Sequence, residues 1–105
     1  MIIEFNDISL EELYLFGSTK DHKYRKLSKE IIKQYVKTVN YIKSVQSIED
    51  LFFIKSLHYE KKKGDLKGSE AVWINDQYRL LFNSSSEKNG MVVFVILDKI
   101  SKHYE

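Results

Sequence analysis

Lys61-Lys62-Lys63-Gly64-Asp65-Leu66-Lys67-Gly68 sets four lysines around two glycines. A second block, Trp73-Ile74-Asn75-Asp76-Gln77-Tyr78-Arg79-Leu80-Leu81-Phe82, follows after a short gap, and Lys102-His103-Tyr104-Glu105 closes the sequence. Lysine and arginine can hold a phosphodiester and stabilise the extra charge of its transition state. Histidine, with an unperturbed pKa of about 6.5, can take up or release a proton. Together these residue types could hold a phosphodiester, stabilise the charge that develops on it and move a proton.

Each candidate has a structural reading beside the chemical one. Arg79 is one of only two arginines in the chain. A guanidinium can hold a phosphate through two hydrogen bonds. It can also simply stack on Trp73 across a strand pair. Lys61, Lys62, Lys63 and Lys67 could line a loop that a polyanion approaches closely, or form a solvated surface loop. Asp65 reads as a turn residue that accepts from nearby amides. Tyr104 could stack on a base or pack at the terminus. His22 and His58 do not read as catalytic, although His58 lies close enough to the basic loop to touch a polyanion bound there.

These residues need elements to position them. Ile2-Ile3-Glu4-Phe5 reads as a strand. Ser9-Leu10-Glu11-Glu12 has capping-box spacing and predicts a short helix ending near Gly17. Tyr24, Leu27, Ile31, Tyr35, Val39 and Ile42 form one stripe of an amphipathic helix from about Tyr24 to Ser44. Ser47 is placed to cap a further short helix through Leu51-Phe52-Phe53. His58 to Gly68 reads as loop, and from Ala71 onward the residues favour strands. A three-residue turn at Asn75-Asp76-Gln77 puts Val72, Ile74, Tyr78, Leu80 and Phe82 on the core face; Ala71, Trp73, Arg79 and Leu81 take the other. Residues 84–90 read as a looser turn, and Met91 to Leu97 as a central strand covered on both faces. The expected class is α+β: an N-terminal strand, helices, then an antiparallel three-stranded meander with the helices on one sheet face.

With 105 residues, 43% of them hydrophobic, the chain reads as a single domain, 1–105, with one core. It has no cysteine, and the three histidines lack metal-ligand spacing, so no metal or other cofactor is expected. No apolar run reaches the roughly 18 residues of a membrane helix, and the N-terminus does not read as a signal peptide, so a cytoplasmic location is expected. The net charge of +2 is unevenly spread. Residues 1–20 carry −3, residues 21–68 carry +6 and residues 69–105 carry −1. A basic middle suits a polyanionic partner, and equally a lysine-rich solvated helix face.

The ordered blocks resemble the HigB branch of the RelE/ParE toxin superfamily, the toxin halves of bacterial type II toxin–antitoxin pairs. The family pattern is K-G-D-x-x-G, then S-I-R-I-N-D-Q-Y-R-I-x-F, then a terminal histidine. Lys63-Gly64-Asp65-Leu66-Lys67-Gly68, Trp73 to Phe82 and His103 match it at motif level over residues 57–104. The resemblance implies the compact fold of that superfamily across essentially the whole chain. It also implies a ribosome-dependent messenger RNA endonuclease that stops translation, silenced by a HigA-like helix-turn-helix antitoxin, with operator DNA bound only through that antitoxin. By the same resemblance Arg79 and Lys63 would hold the scissile phosphate and His103 would transfer protons, with Lys61, Lys62, Lys67, Trp73 and Tyr104 touching RNA. Trp73 departs from the pattern, which has an arginine there; it removes one cation and offers a stacking platform instead. The alternative is a non-nucleolytic protein of the same fold: a gyrase inhibitor, or a degenerate toxin kept as a corepressor.

Overall fold

The computed structural model describes residues 1–62, 69–86, 90 and 92–102. The elements run β1 (Ile2–Phe5), α1 (Ile8–Phe16), α2 (Lys29–Ser44), two 3₁₀ turns (Ile48–Phe53 and Lys55–Leu57), β2 (Glu60–Lys61), β3 (Glu70–Trp73), β4 (Tyr78–Ser86) and β5 (Val93–Lys102). One five-stranded sheet has the order β1-β5-β4-β3-β2. The meander β3-β4-β5 is antiparallel, as expected, and β1 closes the sheet by pairing parallel to β5.

The core lies between one sheet face and the helices. Leu10 and Leu13 of α1, with Tyr35, Val39 and Ile42 of α2, meet Val72, Leu80, Phe82, Val95 and Leu97 of the sheet. Burying such side chains contributes about 1.5–3 kcal/mol each. The helices are also tied by polar contacts: the buried Tyr35 hydroxyl donates to the Leu10 carbonyl at 2.8 Å, and Tyr14 donates to Asn40 Oδ1 at 2.6 Å. Burial pushes the Tyr35 phenol well above its ordinary pKa, so it stays a donor at every physiological pH.

Several local expectations shift. The N-cap of α1 is Asp7, whose Oδ1 accepts from the Ser9 amide at 2.9 Å and the Ser9 hydroxyl at 2.7 Å. The capping-box partner Glu12 accepts from Thr19 instead, at 2.8 Å. Gly17 ends the helix in the left-handed region at φ 73°, as its position predicts. The second helix starts at Lys29, capped by Ser28, because Tyr24 and Leu27 belong to a separate turn whose amides bond back to Asp21 and Tyr24. The serines at 84–86 are strand residues paired with Val93 to Val95.

The strand expected at Met91 to Leu97 runs from Val93 to Lys102, with β1 and β4 on its two sides. Its faces differ: Val95 and Leu97 are fully buried, while Phe94 and Ile96 are half-buried. Among the described residues helices cover only one face, so the expected double cover does not occur there. The polar stretch after His58 contains a two-residue strand, β2, which pairs with Glu70 and Ala71 at the sheet edge. No helix among the described residues is long and apolar enough to cross a membrane.

Candidate functional site

Hairpin register decides where the chemical residues go. The Ile74 amide donates to the Tyr78 carbonyl at 2.9 Å, which leaves Asn75-Asp76-Gln77 as the turn. Asn75 Oδ1 accepts from the amides of Gln77 and Tyr78 at 2.9 and 2.8 Å, the side-chain turn for which asparagine is suited. Val72 then faces Leu80 on the core side, and Trp73 faces Arg79 on the other. The register read from the sequence holds.

On this second face the Arg79 Cζ lies 4.1 Å from the Trp73 ring centre. Arg79 Nη1 donates to the carbonyls of Asn75 at 2.9 Å and Tyr78 at 3.2 Å. Arg79 is 6% exposed, so the guanidinium is largely desolvated, where its charge acts with little screening. Ala71 and Leu81 beside it are buried too, which makes this end of the face a packed platform.

A third residue arrives from outside the hairpin. His58 has φ 46° and ψ 48°, and is the one non-glycine residue with positive φ among those described. Histidine tolerates that region better than most side chains. Its ring stacks on Trp73, with centroids 3.7 Å apart and planes 24° from parallel. A cation, an indole and an imidazole thus come together from three segments. Nothing local in the sequence signals this contact beyond the nearness of His58 to the basic loop.

Glu70 fixes the segment that carries His58. It is 3% exposed, on the core face of β3, and accepts from the Tyr59 hydroxyl at 2.6 Å. Its second oxygen accepts from the Ser84 amide at 2.7 Å and the Ser84 hydroxyl at 2.6 Å. Burial, reinforced by the bond to Glu70, raises the Tyr59 pKa far above the ordinary phenol value, so the phenol keeps its proton. The only hint in the sequence was a carboxylate at the head of an apolar strand.

The remaining candidates are dispersed. Lys61 shares a row with Glu70, on the face opposite Trp73 and Arg79. The Lys62 ammonium pairs with Glu60 at 2.7 Å. Lys63, Lys67, Asp65, His103 and Tyr104 lie outside the described residues. Among the described residues no group of three or more histidines and carboxylates is placed to hold a metal.

Relatives bear on what this platform is. Residues 3–100 match the family described as the RelE-like toxin of the type II toxin-antitoxin system HigB. Toxin HigB-1 of Vibrio cholerae serotype O1 is 29% identical over 82 residues, 78% of this chain and 82% of the relative. The fold is similar to that of a YoeB/ParE toxin from Agrobacterium tumefaciens (TM-score 0.56, 14% identity, covering 99% of this chain and 100% of the other). It is also similar to the YoeB-YefM complex from Staphylococcus aureus, with a TM-score of 0.55, 19% identity and 99% and 98% of the two chains covered. YafQ from E. coli strain BL21(DE3) aligns at a TM-score of 0.53 with 10% identity, over 97% and 92% of the chains. With all but its ends inside the family match, this chain belongs to the HigB-like toxins, the RelE-type toxins of type II toxin–antitoxin systems.

Proposed function

We propose that the chain is a ribosome-dependent messenger RNA endonuclease that needs no metal and arrests translation in the cytoplasm. The observation that carries this reading is the desolvated Arg79 on an indole platform, with His58 against the same ring. In the reaction the ribose 2′-oxygen attacks its own 3′-phosphate, forming the 2′-O–P bond and breaking the bond to the 5′-oxygen. The attacking hydroxyl gives up a proton and the leaving oxygen takes one. Arg79, with Lys63, holds the phosphate and its extra charge. His103 transfers protons, and His58 is the second histidine at hand. Trp73, half-buried, supports Arg79 and offers its edge to a base, while Lys67 and Tyr104 contact the RNA around it and Lys61 and Lys62 contact it farther along the chain. Each group is asked for roughly 10²–10³-fold in rate. The partner is a HigA-like helix-turn-helix antitoxin, which also links the toxin to operator DNA.

The test is induced expression in bacteria with mapping of transcript 5′ ends, comparing wild type with Arg79→Ala. New ends in translated regions, in phase with codons and lost in the variant, support the nuclease. The low exposure of Arg79 favours one second reading: a non-nucleolytic toxin such as a gyrase inhibitor, or a corepressor, in which this arginine only fastens the hairpin. Growth arrest without new ends would select the gyrase reading, and no arrest at all the corepressor.

A further inference from the structure

β1 ends at Phe5, whose partner on β5 is Leu97, so the last residues of β5 have no strand on that side among the described residues. Tyr24 fills part of the opening. Its buried hydroxyl accepts from the Ile100 amide at 3.2 Å, a backbone group that β1 would otherwise have to satisfy. Around it lies a cleft of about 240 Å³, lined by Lys23, Lys26 and Lys102 with Tyr24, Tyr78 and Ile100, and by no carboxylate among the described residues. The Lys102 ammonium stands 5.9 Å from the centre of the Tyr78 ring. Lys23 lies 5.7 Å from the Tyr24 ring and is committed to Asp7. Lys26 and Lys102 are exposed, and among the described residues neither has an acidic partner.

Position gives the cleft its meaning. Tyr78 pairs with Lys102, and Arg79 pairs with Ser101. The cleft is therefore one strand residue from Arg79, about 3.3 Å along the strand, and on the other side of the sheet. A strand of RNA held at Arg79 needs only to turn round the end of the sheet to reach it. We propose that this cleft is a second RNA-backbone site, in which Lys26 and Lys102 take a phosphodiester flanking the one at Arg79. The inference rests on the RNA-cleaving reading above and adds where the neighbouring backbone is held. Ammonium groups beside tyrosine rings suit such a site because they neutralise a phosphate without reading a base, which leaves binding indifferent to sequence. The phosphodiester can belong to the messenger or to ribosomal RNA.

The experiment measures the salt dependence of binding for Lys26→Gln/Lys102→Gln against wild type. One arm uses a short single-stranded RNA oligonucleotide, the other purified ribosomes. Lys33→Gln/Lys37→Gln, with the same charge removed from α2, is the control, and thermal melts confirm folding of each variant. Losing the one phosphodiester that the two lysines neutralise lowers the slope of log affinity against log salt by about 0.7 on the oligonucleotide, with the control near wild type. A drop on the oligonucleotide assigns the site to the messenger; a drop on ribosomes alone assigns it to ribosomal RNA. An unchanged slope in both arms, or an equal drop in the control, overturns the inference while leaving the nuclease reading intact. A wild-type protein that binds neither probe overturns both.

Discussion

Arg79 brings together the two readings that its sequence context allowed. It stacks on Trp73 and bonds two carbonyls of its own hairpin, and it is a desolvated cation on the face opposite the core. Substitution separates the two roles. Arg79→Ala should lower transcript cleavage by about 100-fold or more, measured as 5′-end frequency at matched protein levels. Arg79→Lys keeps the charge but loses the planar fork, so it should recover only part of the activity. Full activity in the alanine variant would make Arg79 a fastener of the turn alone. The face of Arg79 was legible because strand alternation and turn length together fix a register. The approach of His58 was not legible: it depends on a left-handed backbone at one residue and a contact across 15 positions, and neither leaves a periodic trace.

At the scale of elements, two carboxylates hold segments that propensity alone would leave loose. Glu70 joins the residue after His58 to β4 through Tyr59 and Ser84. Glu70→Ala leaves three donors without their acceptor in a buried place and should cost about 2–4 kcal/mol, read from urea unfolding. Glu70→Gln can still accept from Ser84 and meet Tyr59, so it should cost clearly less; equal losses would argue against this network. Asp7 caps α1 and binds Lys23. Burial pushes the Asp7 carboxyl up, but hydrogen bonds from Lys23 and Ser9 outweigh it and hold the pKa below the ordinary value. Its contribution is therefore fully present above the unfolded value near pH 4, and is lost as pH falls through the lower folded value. Asp7→Ala should cost about 1 kcal/mol at pH 7, with a smaller gap from wild type at pH 3. A gap that does not narrow in acid would mean that the ionised carboxylate is not the source. The sequence pointed to Ser9 as the cap because spacing cannot tell a side chain that caps from one that donates to the cap.

Across the whole molecule, the antiparallel meander could be read from its turns, whereas the parallel seat of β1 beside β5 could not. Those strands are some 90 residues apart, and four apolar residues near a terminus fit either edge of a sheet. The same limit explains the mistaken double cover of β5: a β-branched apolar run suits a strand buried on both faces, yet only the helix side is packed. Two truncations test this one-sided core. Phe82 is fully buried, in the row that runs from Phe5 through Leu97 to Glu70. Phe82→Ala should cost about 3–5 kcal/mol, because a cavity opens where helices and sheet meet. Against a total stability of about 5–15 kcal/mol, that is enough to unfold much of the population under mild denaturant. Ile96 lies one residue from Leu97, on the opposite face and half-buried. Ile96→Ala removes less packed surface and should cost about half as much or less. If the two variants lose equal stability in parallel urea titrations, then something else covers the outer face of β5 in solution, and the half-buried Phe94 and Ile96 would be where to look for it.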